Sequence, residues 1–265
     1  MGWNCVMAEA PAGDPPRLVT DGFLGGRLRL SQPAVGHRSG TDAVLLAAAA
    51  PGDFSGLAID AGGGVGAAGL ALAIIRPGVR LGILETDSFL AGLARANLLQ
   101  NGLLDRGYVV EADLLVPASR CAAGLRDESA GLVISNPPFF DPGRTRLSPD
   151  PRKRRAHVMS AAGPSALAAW IAAAMALVAP GGLLILIHRA EALPAILATL
   201  ATRAGEITVL PVYPWPGSRA GRVLVRGKKG SRAPLAIAPP LVLHDGTGFT
   251  AAAEAIHRGA SLIDW

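Results

Sequence analysis

The sequence predicts an α/β protein: a doubly wound, mostly parallel sheet with helices on both faces. Three observations carry that reading. Short apolar runs bounded by turn residues recur at residues 56–60, 79–84, 108–111 and 132–135, as expected of strands buried on both faces. Ala- and Leu-rich helical stretches lie between them, the alternation that builds parallel sheets. Each run also ends at or beside an acid or an amide, namely Asp60, Glu85, Asp113 and Asn136. Open parallel sheets bind ligands at that edge.

In chain order, residues 1–17 are rich in Pro and Gly and are expected to form a disordered tail. The remainder, 18–265, is expected to be one domain with an N-terminal hairpin and helix extension and a core at about 41–227. D-G-F-L-G-G-R-L-R-L at 21–30 has glycine turn signals followed by alternation, so it predicts a β-hairpin. After a polar loop, Thr41 or Asp42 can cap a helix over 43–50 that Pro51-Gly52 ends. Strand 56–60 runs through a glycine loop into helix 67–75. Strand 79–84 precedes helix 89–100, which Asn101-Gly102 caps. Strands 108–111 and 132–135 follow. Beyond them come a helix at 165–178, a turn at 179–182, a strand at 183–188 and a helix at 191–203 with Pro194 in its first turn. Val209-Leu210 and 222–226 predict a closing antiparallel pair, separated by Tyr213-Pro214-Trp215-Pro216-Gly217.

Composition limits the function classes. The chain has 265 residues, 50% of them hydrophobic and 17% charged, which is a folded enzyme's balance and not a disordered protein's. Its net charge of +5 suits a polyanionic partner. Two cysteines, Cys5 and Cys121, can build neither a disulfide framework nor a metal cluster, which fits a reducing cytoplasm. The first 16 residues lack the basic and apolar regions of a signal peptide. The longest apolar candidate, 166–178, is too short to span a bilayer. A soluble, cytoplasmic protein with no membrane partner and no metal is expected.

Two motifs carry the chemistry. The first is D-x-G-x-G-x-G, with Asp60 ending a strand and Gly62, Gly64 and Gly66 leading into a helix. Glycines let the backbone turn sharply and approach a ligand closely, and the flanking strand and helix strengthen the match. A glycine-rich β–α turn is the competing reading. Because the loop lacks G-K-[ST], a phosphate-cradling nucleotidase is disfavoured, while a dinucleotide dehydrogenase stays open. Glu85 falls at the spacing from the loop at which an acid reaches ribose hydroxyls. Asp113 can accept from an adenine amine or cap a helix. The second motif is Asn136-Pro137-Pro138-Phe139. Two prolines hold the backbone extended. An amide oxygen, the Pro137 carbonyl and the Phe139 ring thus come together at a strand end, equipped to grip a planar ring bearing an NH2 group. A Pro-rich turn is the alternative.

Basic residues cluster twice, at Arg144, Arg146, Arg152, Lys153, Arg154 and Arg155, and at Arg226, Lys228, Lys229 and Arg232. Next to a base-gripping motif they suggest phosphate contact, and a solvated surface is the plain alternative.

Taken together, D-x-G-x-G, an acid ending the second strand, an acid after the third and N-P-P-F after the fourth resemble the class I, Rossmann-like, S-adenosylmethionine-dependent amino methyltransferases, over about residues 41–182. F-L-G-G-R-L at 23–28, G-H-R-S-G-T-D-A-V-L-L at 36–46, G-S-R-A-P-L at 230–235 and L-V-L-H at 241–244 look like the bacterial tRNA(Val) adenine-N6 methyltransferases. The resemblance implies a seven-stranded sheet with an antiparallel C-terminal strand. It implies S-adenosylmethionine as methyl donor, with Asp60 and the 62–66 glycines along its methionine part. Thr41 and Asp42 would touch its amino acid end, Glu85 its ribose and Asp113 its adenine. Asn136, Pro137 and Phe139 would hold the target nitrogen, Asn136 also bordering the donor. The partner implied is RNA, tRNA foremost. Two departures stand out: Ala130-Gly131 where an aspartate often precedes the motif strand, and A-G-G-G where a bulkier residue is common. The same fold acting on rRNA guanine N2, DNA adenine or a protein glutamine amide is the alternative. A non-catalytic RNA-binding module is the rival from another class.

Overall fold

In the computed structural model, residues 16–35, 39–138, 164–246 and 248–265 are described. The four apolar runs become parallel neighbours: β3 (Gly56–Ala61), β4 (Val79–Glu85), β5 (Gly107–Glu111) and β6 (Ala130–Ser135). β7 (Val178–Arg189) continues the parallel set beside β6, and β9 (Arg222–Lys229) lies antiparallel between β7 and β8 (Ala204–Tyr213). The order is β8-β9-β7-β6-β3-β4-β5, so these strands form the mixed sheet that the sequence predicts. Two short strands, β10 (Ala236–Ile237) and β11 (Leu241–Val242), extend its β8 edge. Chain order reverses between β3 and β6, and the crevice outside that switch point is where such sheets take ligands.

Alternation along each strand divides the core between two faces. Ala58, Leu81, Ile83, Leu132, Ile134 and Ile185 meet helices α1 (Thr41–Ala48), α2 (Ala67–Ile75) and α3 (Ser88–Gln100). Ile59, Leu84, Val133, Leu184 and Leu186 meet α5 (Pro164–Leu177) and α6 (Leu193–Leu200) on the other face. The hairpin pairs β1 (Leu18–Phe23) with β2 (Leu28–Pro33) as a separate two-stranded sheet.

Several boundaries differ from expectation, each for a physical reason. Gly40 caps α1, with no side-chain cap bond. Thr41 and Asp42 are instead used elsewhere, by His257 (3.3 Å) and Arg222 (2.9 Å). The turn expected at 179–182 is absorbed into β7, because Val178 already pairs with Ala130 and the register then shifts. A helix foreseen at 191–203 begins as a 3-10 turn, Ala190–Ala192, and ends at Leu200. Four elements have no counterpart in the sequence reading: α4 (Pro117–Ala122), β10, β11 and α7 (Ala251–His257). All are too short for hydrophobic periodicity to register. The expected tail is mostly outside the described residues, although Arg17 accepts a bond from the Ala34 amide at 2.8 Å.

An edge strand leaves backbone groups needing partners, and α3 supplies them to β2 through side-chain amides. Asn97, fully buried, accepts from the Ser31 amide (2.8 Å) and donates to the carbonyls of Ser31 and Val65 (both 3.0 Å). Asn101 and Gln100 both serve Arg29. Asn97 thus ties the hairpin to the glycine loop. Asn97→Ala is expected to cost about 1–3 kcal/mol for each buried backbone group left without a partner, read as a lower urea midpoint. An unchanged midpoint would show that water replaces the amide and that the tie is dispensable.

Candidate functional site

The glycine loop at the end of β3 has few side chains of its own, so other elements must hold it. The amides of Gly62 and Gly63 both donate to the Leu84 carbonyl (2.9 and 3.0 Å), and the Gly64 amide donates to Glu85 Oε2 (2.8 Å). With its amides turned inward the loop is no phosphate cradle, in keeping with the missing G-K-[ST]. Gly62 has φ +71°, and a Cβ there would sit 2.5 Å from the Trp170 ring. Gly64, at φ +57°, is different: nothing lies within 4 Å of its Cβ position, so the space before it is open to a ligand. Gly66 caps α2 at φ +90°. Asp60 lies beneath the loop, 2% exposed, where its Oδ2 accepts from the Gly69 amide (2.8 Å) of α2.

In front of the loop is a cavity of about 500 Å³, bordered by Gly62, Gly64, Glu85, Thr86, Leu90, Ala112, Asp113, Leu114, Asn136, Pro137 and Trp170, among others. Five of the residues that carry the sequence motifs, from four different strand ends, therefore converge: Gly62, Gly64, Glu85, Asp113 and Asn136. Glu85 Oε1 accepts from the amides of Thr86 and Asp87 (2.8 Å each), and Oε2 accepts from Gly64. A carboxylate offers about four lone-pair sites, so room remains for one further donor and not for a pair. Asp113 Oδ1 accepts from the Leu115 amide (2.8 Å) while α4 is capped by Val116. The helix-cap alternative for Asp113 is thereby replaced by a local turn, with Oδ2 left for a ligand. Neither the Asn136 amide nor the Pro137 carbonyl is engaged by a hydrogen bond among the described residues.

Trp170 was visible in the sequence only as part of a buried helix. In the fold its indole Nε1 donates to Ser135 Oγ (3.0 Å), and the fully buried Ser135 hydroxyl donates to the Ala61 carbonyl (2.7 Å). One side chain therefore packs on the glycine loop and ties the ends of β3 and β6 together, directly before Asn136. Because Trp170 sits on a helix thirty-five residues beyond Ser135, no local motif announces it.

The remaining expected site residues are placed as follows. Thr41, Asp42, Asp60 and Gly66 do not border the cavity; Thr41 and Asp42 bond to His257 and Arg222. Lys228 pairs with Glu206 (3.5 Å). Lys229 is committed internally, donating to the carbonyls of Met175 (3.2 Å) and Val178 (2.8 Å) and pairing with Glu128 (3.0 Å). An ammonium has three donors, so Lys229 as placed has none left for a phosphate. Phe139 and the cluster Arg144, Arg146, Arg152, Lys153, Arg154 and Arg155 lie outside the described residues.

Burial pushes the Asp60 carboxyl from 3.8 up to about 7, with Glu85 adding to the rise and the Gly69 bond opposing it. The folded state therefore keeps a proton that the unfolded chain loses. The contribution of Asp60 to stability is complete below the unfolded value of 3.8 and is lost as pH rises through about 7. Asp60→Asn, which can still accept from Gly69, should lose less stability than wild type between pH 5 and pH 8, in denaturation series compared at those values. Equal losses would refute a protonated Asp60.

Comparison with known proteins agrees with this geometry. A family model described as Methyltransferase small domain matches residues 36–149. The tRNA1(Val) (adenine(37)-N6)-methyltransferase of Erwinia tasmaniensis is 33% identical over 135 residues, covering 50% of this chain and 53% of that protein. The protein of the same name from Porphyromonas gingivalis is 35% identical over 127 residues, 46% and 49% of the two chains. The chain thus spans about half the length of these curated relatives. The crystal structure of a predicted O-methyltransferase from Agrobacterium tumefaciens is 31% identical, with a TM-score of 0.70, over 84% of this chain and 98% of that one. With the glycine loop, the acid-lined cavity and a match over nearly the whole of that structure, the chain belongs to the S-adenosylmethionine-dependent methyltransferases.

Proposed function

We propose that this methyltransferase modifies the exocyclic N6 amine of adenine in RNA, most specifically in tRNA. The observation that carries the reading is that Asn136 and Pro137 border the same cavity as Gly62, Gly64 and Glu85, with no bond to their acceptors among the described residues. An NH2 group has two hydrogens to satisfy, and a carbonyl pair held by prolines offers two acceptors. A hydroxyl has one hydrogen, so the pair suits an amine better than the oxygen that the Agrobacterium protein's name suggests. The names of the two curated relatives supply the adenine and the tRNA.

S-adenosylmethionine supplies a methyl group made electrophilic by a positively charged sulfur. The chain holds and orients it: the free site on Glu85 accepts a ribose hydroxyl, Asp113 Oδ2 accepts from the adenine amine, and Leu90, Ala112 and Leu114 wall the ring. Gly64 leaves room for close approach. Asp60, Thr41 and Asp42 act from behind, supporting the loop and α1. On the acceptor side, the N6 lone pair is delocalised into the ring. Accepting both N–H bonds, on Asn136 Oδ1 and the Pro137 carbonyl, favours a pyramidal nitrogen whose lone pair is free to attack. Alignment of this kind can supply roughly 7–11 kcal/mol of a barrier. Phe139 would stack on the extruded base, worth roughly 1–3 kcal/mol. Phosphate contact falls to the residues around Arg144–155 and to the exposed Arg232, since Lys229 is used internally.

Incubation with labelled S-adenosylmethionine and separate pools of tRNA, rRNA and DNA, followed by nucleoside analysis, should give N6-methyladenosine from tRNA. Label in N2-methylguanosine, in DNA or in protein would overturn the substrate. Asn136→Ala should slow single-turnover transfer by roughly 10²–10³-fold, by analogy with lost oxyanion-hole donors, with donor affinity little changed. A wild-type rate would reduce Asn136 to a turn residue. Glu85→Ala should weaken donor binding by about 1.5–3 kcal/mol in calorimetric titration, and an unaltered affinity would remove Glu85 from the donor site.

A further inference from the structure

Four aromatic rings form a column at the far side of the same sheet edge, and the proposed function does not use it. β11 runs parallel to the last residues of β8, and its continuation follows: the Leu243 amide donates to the Tyr213 carbonyl (2.8 Å) and the His244 amide to the Pro214 carbonyl (3.1 Å). His244 is thereby drawn against Trp215, ring centroids 4.7 Å apart. His244 forms an antiparallel bridge with Phe249 (ring centroids 4.8 Å apart, 17° between planes), and Phe249 stacks on His257 of α7 (4.2 Å, 24°). At the inner end His257 Nδ1 faces the Ala253 carbonyl (2.8 Å), which can only accept. His257 Nε2 lies 3.3 Å from the Thr41 hydroxyl.

The outer end of the column is open. Trp215 remains 46% exposed although its loop is well fixed. Pro214 and Pro216 restrict the backbone, and the Ser218 hydroxyl bonds both the carbonyl (2.6 Å) and the amide (3.2 Å) of Trp215. An exposed indole tilted 32° against the first of three stacked rings is a preformed platform, so little ordering cost attends its use. Arg219, exposed on the same loop, makes no ion pair among the described residues. An aromatic face with a guanidinium on the same loop is a combination by which proteins hold single-stranded nucleic acid. β8 and β6 end on the same edge of the sheet with β7 and β9 between them. Through the registers of β7 and β9, Val209 of β8 stands level with Ser135, so Trp215 is displaced from Asn136 by about 14 Å across the sheet, at about 4.8 Å per strand step, and by up to about 17 Å along it, at about 3.3 Å per residue. That is within reach of a short stretch of unpaired strand.

We propose that Trp215 stacks on an unpaired base of the substrate RNA, a few nucleotides from the target adenine, with Arg219 on the adjoining phosphate. The proposal rests on RNA being the substrate. The test is the affinity of an anticodon-arm RNA, measured by fluorescence anisotropy across a salt series. Trp215→Ala should bind about five- to one-hundred-fold more weakly with its salt slope unchanged, and Trp215→Phe should retain most of the affinity. Arg219→Ala should lower the slope by about 0.7. Calorimetric binding of S-adenosylmethionine to each variant checks that the domain is intact. If Trp215→Ala fails that check, Trp215→Phe against Trp215→Leu decides, with Leu expected to lose affinity. Wild-type affinity in Trp215→Ala or Trp215→Leu, while wild-type protein binds and methylates the RNA, would overturn the platform alone. A wild-type protein that neither binds nor methylates RNA would overturn the platform and the substrate together.

Discussion

A loop made largely of glycine can turn sharply and let a ligand come close, but it has almost no side chains with which to anchor itself. Every other feature of the site follows from how that deficit is met. Glu85 of β4 holds the Gly64 amide, Asp60 of β3 holds the helix that follows, Asn97 of α3 holds the Val65 carbonyl, and the Trp170 ring lies over Gly62. Four side chains from four elements thus fix one mobile-looking segment.

That arrangement couples the two halves of the site. Ser135, fully buried, bonds the Ala61 carbonyl at the start of the glycine loop and receives the Trp170 indole. The next residue is Asn136. The glycine loop and the strand end bearing Asn136 are therefore joined by one hydroxyl, at the point where the connections from two parallel neighbours lead off in opposite directions. A displacement of the loop must move Asn136 with it. For a transfer that depends on alignment, such coupling holds the reacting groups to one geometry.

Charge in this protein is spent on structure more than its basic composition suggests. Lys229 closes the end of α5 and the start of β7, and Arg120, 2% exposed, bonds the Leu114 carbonyl and Asp127 (2.9 Å) under α4. Arg222 holds Asp42 (2.9 Å), joining β9 to α1. A long side chain on a strand or short helix can lay its stem along apolar surface and place its head on orphan carbonyls. A count of Lys and Arg cannot separate such residues from those left open to solvent. Only their neighbours can.

The sequence by itself determined the elements and the ends that matter. Parallel strands buried on both faces are near-continuous apolar runs, so β3 to β6 were legible, and the polar groups at their ends were legible with them: Asp60, Glu85, Asp113 and Asn136. The antiparallel closing pair was also readable, from two apolar runs around a Pro-rich loop. Tertiary structure decided which of those groups face the cavity. Asp60 stands in the same motif as Gly62 and Gly64, yet strand alternation turns it beneath the loop, where burial raises its carboxyl to about 7. It also decided Trp170, Asn97 and the column behind Trp215, whose partners lie tens of residues away or more. Local pattern reports the period of a chain against its own core. Contacts between distant segments obey no period, and only the folded chain sets them.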